Sequence, residues 1–384
     1  MNFHLDKIGN YSFYSTEKLF TIDLGDVRFK VEIGSDTIIK LFSKLKNKKK
    51  EVLIIIDNKI AEIYIKKLKY FCDFNFVIID GGKENKNFLT LEKIFSKLDN
   101  LNFPRCGKIV AIGGGVIGDI SGLAASLWYR GCELIHVPTT LLASVDSCVG
   151  GKTALNFKST INAIGTYHHP SRVIIDTKLL LKLPKRELKS GLAEIIKYSI
   201  LGDKMISQKL IDLEMSNFFN LNNLNHIIEL CLLRKAKFVK WDIKEKNKRL
   251  FLNLGHTIGH AFEINSIING KEQLRHGEGV ALGIIAISKI SVLVGKLSKT
   301  DFQKIIDLIR KFDLPITISP AIFECEREYL ITKCLESVFR DKKRTSKFLR
   351  LILPTTSSGN CEIFETDSRD LIRSGIEYVV EHSR

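Results

Sequence analysis

The sequence predicts a parallel-sheet α/β domain followed by a mostly helical domain. At 384 residues the chain exceeds the size of one ordinary hydrophobic core. Short apolar strands alternate with helical segments up to about residue 175, whereas from Lys185 onward the apolar residues recur at helical spacing. The change falls at Leu183-Pro184. We therefore assign residues 1–182 to the α/β domain and residues 183–384 to the helical domain.

The strands of the first domain are indicated by their residue types. Alternation in Tyr11–Tyr14 and Val27–Ile33 predicts short antiparallel strands near the start of the chain. Val52–Ile56 is a continuous apolar run, which is typical of a strand buried on both faces. Similar runs follow with helices between them, and this order predicts a parallel sheet covered by helices on both faces. The further strands are 76–79, 108–112, 133–137 and 172–175, and the helices are 36–46, 58–69, 88–101 and 116–127.

The second domain is predicted from apolar residues spaced three and four apart. Leu188, Leu192 and Ile195 share one helix face, and Ile227, Cys231 and their neighbours share another. Near the end of the chain the pattern predicts a small hairpin over 348–353 and 361–364, and then a final helix over 368–381.

The composition indicates a soluble globular protein. Apolar residues make up 45% and charged residues 27% of the chain. We find no run of 18 apolar residues and no signal-peptide core, so we expect no membrane association. Eight cysteines show no CxxC spacing, which favours reduced thiols and a cytoplasmic location.

The formal net charge of +16 has two readings. Lysines spread over solvated faces would account for it, and so would a basic pocket for a polyanionic substrate. A nucleic-acid binder would concentrate the charge and interleave it with aromatic residues. The dense runs at 44–50 and 341–344 are short, so we expect no nucleic-acid partner.

A glycine-rich turn, Gly113–Asp119, follows one predicted strand and opens the next helix. It satisfies GxGxxG, in which glycines let the backbone approach a pyrophosphate at a helix N-terminus. The turn follows about the third strand rather than the first, and Asp119 comes directly after the last glycine. This predicts a variant nucleotide-binding fold, although glycine-rich turns of this kind also occur without a ligand.

The segment Pro138–Thr153 predicts a ligand-binding loop. It combines Thr139, Thr140, Asp146 and Lys152 around a glycine pair just beyond a strand end, where open α/β sheets bind ligands. GxxxxGK[ST] is absent, so it is not a P-loop.

Charged residues on the predicted helices of the second half have two interpretations. Glu194 and Lys197 are three residues apart and form either a surface ion pair or a metal ligand beside a substrate-facing lysine. Lys235, Arg249 and Asn253 lead into a histidine-rich stretch. They carry either solvated charge or contacts to a carboxylate or phosphate.

Three of the nine histidines fall within residues 256–276. His256 and His260 are four apart and share a helix face, and that spacing can hold a divalent metal with a third ligand from elsewhere. His276 follows a short loop and could turn back toward that face. An exposed histidine pair with a coincidental third histidine is the alternative.

Five motifs, in this order, resemble the 3-dehydroquinate synthase family of the sugar phosphate cyclase superfamily. They are GGGVIGD, VPTTLLASVDSCVGGKT, SGLAEIIKY, LNLGHTIGHAFE and HGEGVALG. The resemblance implies an NAD-binding α/β domain, a helical metal-binding domain and a cytoplasmic homodimer. It implies a lyase of aromatic amino acid biosynthesis (the shikimate pathway, toward chorismate) that converts 3-deoxy-D-arabino-heptulosonate 7-phosphate into 3-dehydroquinate and phosphate. The implied course is transient oxidation by NAD, phosphate elimination, reduction and an intramolecular aldol reaction.

The resemblance also implies site residues. Zinc, or alternatively Co²⁺, would be held by Glu194, His256 and His276, which moves His260 from the metal to the substrate. Arg130 would reach the neighbouring subunit's site. The implied NAD contacts are Asp57, Lys86, Gly115, Val116, Ile117, Gly118, Asp119, Thr139, Thr140, Lys152, Leu179, Leu180, Leu181 and Lys182. The implied catalytic and substrate-binding residues are Arg130, Asp146, Lys152, Asn162, Lys197, Lys235, Arg249, Asn253, His260 and Lys342.

The chain departs from the family pattern at two positions near the expected NAD site. Lys83 stands where the family has Glu, and Ile161 stands where it has Lys. Lys158 is the candidate replacement for that lysine.

Among the substrate contacts, we expect Arg249 and Lys235 to bind the carboxylate. We expect Lys152, Asn253, His260 and Lys342 to bind the phosphate. Three alternatives stay open: a cyclase for another phosphorylated sugar, a related polyol or glycerol dehydrogenase, and a non-catalytic binder of nucleic acid or anionic surfaces.

Overall fold

The structure is a computed structural model, and it describes residues 17–65, 73–158, 160–268, 271–340, 348–356 and 360–381. Tyr11–Tyr14, predicted as a strand, and Lys342, predicted to bind substrate, lie outside these residues. The strands are β1 (Lys18–Asp23), β2 (Arg28–Gly34), β3 (Val52–Asp57), β4 (Asn75–Ile79), β5 (Lys108–Gly113), β6 (Glu133–Pro138), β7 (Lys152–Phe157), β8 (Thr160–Tyr167), β9 (Arg172–Asp176), β10 (Ile267–Ile268), β11 (Lys271–Glu272), β12 (Leu349–Pro354) and β13 (Cys361–Thr366).

The α-helices, in chain order, connect or follow these strands. They are α1 (Thr37–Leu45), α2 (Asn58–Ile65), α3 (Phe88–Asn100), α4 (Gly115–Leu127), α5 (Thr177–Leu180), α6 (Lys185–Ile200), α7 (Lys204–Asp212), α8 (Met215–Phe218), α9 (Leu221–Trp241), α10 (His256–Asn265), α11 (His276–Leu293), α12 (Lys299–Lys311), α13 (Arg327–Arg340) and α14 (Arg369–Val379).

The first unit is built on a seven-stranded sheet with the order β1-β2-β9-β6-β5-β3-β4. β1 and β2 are antiparallel, and the other neighbouring strands are parallel. Leu53 and Ile55 of β3 point to the layer that contains α3 and α4, whereas Ile54 and Ile56 point to the layer that contains α1. The continuous apolar run of β3 is thus explained by burial on both faces, and the predicted fold class is confirmed.

The hairpin β7–β8 was not predicted from the sequence. Its second strand is largely half-buried or exposed, with Ile161, Ile164 and Tyr167 each more than a third exposed. A strand with that exposure lacks the clean apolar alternation from which strands are recognised. The hairpin packs against α4 and leads from the predicted ligand loop back to the sheet.

The division between the two units differs in one segment from the sequence assignment. The first unit runs to Leu183 and also includes Phe219–Lys240, which the sequence analysis placed in the second domain. That segment is most of α9, whose Glu229 and Lys235 form ion pairs with Lys18 and Asp146 of the first unit. Apolar spacing identifies a helix but does not tell which unit covers it.

The second unit comprises residues 184–218 and the chain from Trp241 onward, and α11 lies at its centre. α6, α10, α12, α14 and β12 all contact α11. In length and composition α11 could cross a membrane, but 72% of it is buried within the protein, which is typical of the core helix of a globular unit. The predicted hairpin near the end of the chain is β12–β13, and the predicted final helix is α14.

Candidate active site

Three side chains of the second unit converge as a metal site would require. Glu194 of α6 is fully buried, and its Oε1 lies 3.3 Å from Nε2 of His256 and 3.3 Å from Nε2 of His276. The candidate ligand atoms all lie within 4.8 Å of one another. Neither carboxylate oxygen of Glu194 has a partner with hydrogen-bond geometry among the described residues. A buried carboxylate oxygen that faces two imidazole nitrogens, while the other oxygen pairs with Lys197, suits Zn²⁺ or Co²⁺.

The two histidines come together because α10 and α11 approach through glycines. A Cβ on Gly259 would lie 2.6 Å from the carbonyl oxygen of Gly279, and a Cβ on Gly283 would lie 1.9 Å from that of Gly255. On the side of α6, a Cβ on Gly277 would lie 1.8 Å from the carbonyl oxygen of Ser190. No side chain separates these helices at the contacts, so the first residues of α10 and α11 reach Glu194.

Hydrogen bonds fix both imidazole rings with Nε2 toward Glu194. Nδ1 of His256 lies 3.1 Å from the carbonyl oxygen of Leu254, and Nδ1 of His276 lies 2.9 Å from Oε1 of Glu263. When Nδ1 donates a proton to an oxygen, Nε2 is left with a lone pair for a metal.

The charges of the site are strongly coupled. Burial raises the pKa of Glu194, but the Lys197 ammonium and His256 hold that pKa well below its usual range. Burial lowers the pKa of His256, although the neighbouring Glu194 carboxylate acts to raise it. At His276 burial acts in the same direction, but Glu263 and Glu194 outweigh it and raise the pKa to about 10.

His260 lies next to this cluster rather than in it. Its ring centroid is 5.3 Å from that of His256 and 5.8 Å from that of His276. Its ligand atom groups with Glu263 and His276, not with Glu194. The structure thus brings Glu194, His256 and His276 together as one possible three-ligand set. The pair His256–His260 that spacing alone suggested is not joined by Glu194.

Asn253, one of the predicted substrate residues of the second unit, lines a cavity of about 370 Å³. Nδ2 of Asn253 donates to Oε1 of Glu245 at 2.9 Å. Arg249 is 2% exposed, and its guanidinium donates to the carbonyl oxygen of Ile243 at 2.7 Å. Glu245 and Arg350 line the cavity beside Asn253, and neither was predicted from the sequence. In the sequence, Glu245 could have been noticed only because it is close to Asn253. Arg350 could have been noticed only because it lies on the predicted hairpin.

Lys197 is also buried in the second unit. It is 1% exposed, forms an ion pair with Oε2 of Glu194, and its Nζ lies 5.2 Å from the centre of the Tyr198 ring. Of the two interpretations of Glu194 and Lys197, the surface ion pair is wrong because both side chains are buried.

In the first unit, the predicted nucleotide residues gather at the carboxyl-terminal ends of the strands. Asp57, Gly113 and Pro138 end β3, β5 and β6, which are neighbours in the sheet. The backbone turns closely here: a Cβ on Gly81 would lie 2.1 Å from Oδ2 of Asp57, and a Cβ on Gly113 would lie 2.5 Å from Cγ1 of Ile117. This end of a parallel sheet is where nucleotides bind in doubly wound folds.

The first turn of α4 has the features of a phosphate site. Gly115, Val116 and Ile117 present the N–H groups that no helical carbonyl accepts, at the positive end of the helix dipole. The neighbouring Asp119 accepts a hydrogen bond from Lys86, which also donates to Asn162. The residues present therefore fit a dinucleotide.

The remaining residues predicted to contact NAD differ in how far their side chains are exposed. Thr139 is buried, with its N–H donating to the carbonyl oxygen of Gly113 at 3.0 Å, and the hydroxyl of Thr140 accepts from the N–H of Ala143 at 3.1 Å. The side chains of Leu179 and Leu180 are 5% and 0% exposed. Contacts from these two leucines to a nucleotide would therefore come from their backbone. Leu181 is partly buried and Lys182 is exposed.

Asp146 and Lys235 form a pair within the first unit. Nζ of Lys235 donates to the carbonyl oxygen of Asp146 at 2.6 Å and lies 3.0 Å from its carboxylate. Lys152 begins β7 and is exposed. Lys235 lies 89 positions after Asp146, so the sequence alone did not predict that the two side chains are in contact.

Three residues have left-handed backbone conformations near the predicted site. They are Arg130, Asn162 and Lys158, with φ of 65°, 52° and 51°. Arg130 is exposed at the end of the segment that follows α4. Lys158, the candidate replacement for the family lysine, lies with its Nζ 5.7 Å from the centre of the Phe157 ring. It is Lys86 that contacts Asp119 and Asn162.

A glycine-rich turn at the end of a parallel strand and a Glu-His-His cluster on three helices define a nucleotide- and metal-binding α/β protein. The family model "3-dehydroquinate synthase N-terminal" matches residues 76–190, and "3-dehydroquinate synthase C-terminal" matches residues 191–344. The chain belongs to the 3-dehydroquinate synthase family.

Relatives with this name match along nearly the whole chain. The 3-dehydroquinate synthase of Colwellia psychrerythraea is 37% identical over 362 residues, which cover 92% of this chain and 99% of that protein. The one from Natranaerobius thermophilus is 36% identical over 365 residues, covering 91% and 95%.

Solved structures extend the comparison to other cyclases. A 2-deoxy-scyllo-inosose synthase complexed with carbaglucose-6-phosphate, NAD⁺ and Co²⁺ gives a TM-score of 0.81 at 27% identity, covering 94% of this chain and 99% of that one. A 2-epi-5-epi-valiolone synthase from Streptomyces hygroscopicus with NAD⁺ and Zn²⁺ bound gives 0.73 at 25%, covering 85% and 90%. A glycerol dehydrogenase from Schizosaccharomyces pombe, with a TM-score of 0.56 at 16% identity and coverage of 90% and 88%, shares the fold.

Proposed function

We propose that the chain converts 3-deoxy-D-arabino-heptulosonate 7-phosphate into 3-dehydroquinate and phosphate, with NAD and a divalent metal, Zn²⁺ or Co²⁺. The observation that carries the proposal is the convergence of Glu194, His256 and His276 in a chain 37% identical to a 3-dehydroquinate synthase over 92% of its length. When bound, NAD supplies a reversible hydride acceptor, and the metal supplies a Lewis acid that polarises a substrate hydroxyl.

The residues of the chain then have separate tasks. Glu194, His256 and His276 hold the metal, and Lys197 balances the charge of Glu194. Arg249, with a guanidinium buried at 2% exposure, binds the substrate carboxylate. Asn253 and His260 bind the phosphate, together with Lys152 and Lys342. Lys235 and the Asp146 that it holds orient the substrate.

The nucleotide-binding residues position the cofactor. The free N–H groups of Gly115, Val116 and Ile117 bind the pyrophosphate, and Asp57 at the end of β3 binds a ribose hydroxyl. Lys86 holds Asp119 and Asn162 in place around that turn.

The experiment supplies the purified chain with NAD, Zn²⁺ and the heptulosonate phosphate. We expect inorganic phosphate and 3-dehydroquinate in equal amounts, with no net NADH, because the hydride returns to the substrate. Accumulation of NADH with glycerol and no phosphate release from the heptulosonate would point to a dehydrogenase instead.

A cyclase for another phosphorylated sugar is the second candidate, since the 2-deoxy-scyllo-inosose synthase structure gives a TM-score of 0.81. The buried Arg249 favours a substrate with a carboxylate, because a guanidinium can bind a carboxylate through two parallel hydrogen bonds. Phosphate release from glucose 6-phosphate at a rate above that from the heptulosonate would favour this candidate.

We also propose a cytoplasmic homodimer in which Arg130 reaches the partner's substrate. Tyr129 and Arg130 are both left-handed and more than a third exposed, which turns this segment outward. Mixed dimers of Arg130→Ala and His256→Ala chains should regain activity that neither variant has alone, because one site then combines an intact metal set with an intact arginine. Mixtures that dimerise without regaining activity would contradict the shared site.

A further inference from the structure

Glu263 has no place in the proposed set of ligands, yet it contacts one of them. It lies on α10, is 6% exposed, and its Oε1 lies 2.9 Å from Nδ1 of His276 at the start of α11. The opposite nitrogen of the same ring, Nε2, lies 3.3 Å from Oε1 of Glu194. The imidazole of His276 thus stands between two buried carboxylates, one on the metal side and one on the far side.

The backbone is shaped to admit this carboxylate. A Cβ on Gly279, one turn after His276 on α11, would lie 2.8 Å from Cγ and 3.1 Å from Oε1 of Glu263. Any other residue at 279 would displace the Glu263 side chain. The glycine therefore leaves the space through which Glu263 reaches His276.

The two histidines differ in how their orientation is fixed. Nδ1 of His256 faces a backbone carbonyl, that of Leu254 at 3.1 Å, which no substitution removes. Nδ1 of His276 depends on a side chain. A carboxylate also adds negative charge behind the ring, which makes Nε2 a better donor to a cation than a carbonyl would.

We propose that Glu263 is a positioning residue that holds the ring of His276 with Nε2 toward Glu194 and so strengthens binding of the divalent metal. This inference rests on the metal set of the proposed function. In this arrangement Glu263 contacts His276 and not the metal itself. His260, Glu263 and His276 also lie close enough to form a second three-ligand group.

The test titrates metal-free protein with Co²⁺ and follows the visible absorption of the bound ion, with affinity measured by competition against a chelator. Glu263→Gln should weaken Co²⁺ binding about 10- to 100-fold and shift the absorption bands, because the amide oxygen can still accept from Nδ1 but carries no negative charge behind the ring.

Glu278→Gln is the matched control. Glu278 lies two residues after His276 on the same helix, but its carboxylate faces Arg186, with both oxygens 2.7 Å from guanidinium nitrogens. The Glu278→Gln variant loses an ion pair within the same structural unit. It should keep the wild-type affinity for Co²⁺ and the wild-type absorption spectrum. Thermal unfolding of both metal-free variants separates lost stability from lost affinity.

The outcomes separate the inference from the proposed function. If the wild-type protein binds no Co²⁺, the assignment of the metal ligands themselves is wrong. Wild-type binding of one equivalent with an unchanged Glu263→Gln affinity and spectrum would overturn only the role of Glu263. Two equivalents in the wild type, one of them lost in Glu263→Gln, would make Glu263 a ligand and also overturn the inference. If Glu263→Gln does not fold, Glu263→Asp keeps the charge but withdraws the oxygens from Nδ1, and it should show a smaller loss of the same kind.

Discussion

Lys235 and Asp146 form a two-point contact: Nζ of the lysine donates to the backbone carbonyl oxygen of Asp146 at 2.6 Å and lies 3.0 Å from its carboxylate. Asp146 lies in a short π-helical segment, Ala143–Ser147, and its carbonyl oxygen also accepts from the N–H of Val149 at 3.2 Å. The lysine is thus part of the framework that sets the direction of the Asp146 carboxylate.

Lys235→Met should therefore harm both stability and activity. We expect a loss of about 1–3 kcal/mol in the free energy of unfolding, since a carbonyl and a carboxylate lose their charged partner. We expect kcat/KM for phosphate release to fall about 100-fold as Asp146 moves. Urea unfolding and phosphate-release kinetics measure the two effects. Lys237→Met, an exposed position on the same helix, is the control, and equal losses in both variants would contradict the contact's importance.

Removal of single histidines tests the metal set. His256→Ala should lose the bound metal, because the remaining Glu194 and His276 leave the ion without one of its three protein ligands. His260→Ala should keep the metal and lose activity, since His260 is not grouped with Glu194. Metal content after dialysis, measured by atomic emission, decides between them. Full retention in His256→Ala together with loss in His260→Ala would restore the pair that spacing alone suggested.

The histidines show where sequence reasoning ends. The spacing of His256 and His260 tells that they share a helix face, and this is correct. It does not tell which residue of another helix meets that face. His276 reaches Glu194 because glycines at 255, 259, 279 and 283 remove the side chains between α10 and α11. This tertiary contact leaves no periodic pattern in the local sequence. Only the family resemblance predicted that His276 is a metal ligand.

The first unit was predictable for a different reason. Burial on both faces of the sheet makes Val52–Ile56 continuously apolar, and Gly113 at the turn after β5 leaves room for the side chain of Ile117, which a Cβ would meet at 2.5 Å. Local sequence records both constraints. The exposed second strand of the hairpin β7–β8 lacks apolar alternation, and the assignment of α9 depends on partners far away in the chain, so no local pattern revealed either of them.

Asn156 joins three parts of the predicted nucleotide site. Its Nδ2 donates to the carbonyl oxygen of Lys83 at 3.1 Å, its Oδ1 accepts from the N–H of Asn162 at 3.0 Å, and its N–H donates to the carbonyl oxygen of Lys86 at 2.7 Å. Asn156→Ala should weaken NAD binding about tenfold, because the two side-chain hydrogen bonds that hold Lys83 and Asn162 are lost, while the backbone bond to Lys86 remains. Titration calorimetry with NAD measures the affinity. Asn100→Ala, an exposed residue at the end of α3, should bind NAD as the wild type does; an unchanged affinity in Asn156→Ala would refute the prediction.

His136 makes the first unit sensitive to acid. Burial in the sheet and the nearby His168 lower the pKa of His136 from 6.5 to about 4. The folded state therefore keeps the ring neutral, whereas the unfolded chain binds a proton below about pH 6.5. The stabilisation is present above that pH and is lost as the pH falls toward 4, amounting to at most about 2 kcal/mol between pH 7 and pH 5.

His136→Gln should flatten this pH dependence. The chain has two tryptophans, and in a Trp241→Phe background Trp128 fluorescence reports urea unfolding of the first unit. His226→Gln, with a histidine side chain that is 32% exposed, serves as the control. A pH profile in His136→Gln as steep as that of the parent would show that His136 is protonated in both states.

Gly283→Ala tests the glycine contact that brings the ligands together. Its new Cβ would lie 1.9 Å from the carbonyl oxygen of Gly255 and 2.7 Å from the nitrogen of Gly259, both of them backbone atoms that cannot rotate away. α10 must then move from α11, which separates His256 from His276. We expect a loss of at least about 3 kcal/mol in stability, as for overpacked cores, and a fall in metal affinity. Gly295→Ala is the control, because no atom of the described residues lies within 4 Å of its Cβ and only its φ of +74° adds strain, at about 1–2 kcal/mol. Thermal unfolding and Co²⁺ titration separate the two variants: both should be less stable, but only Gly283→Ala should bind metal more weakly. Wild-type Co²⁺ affinity in a destabilised Gly283→Ala would mean that Glu194, His256 and His276 can meet without close approach of the two helices.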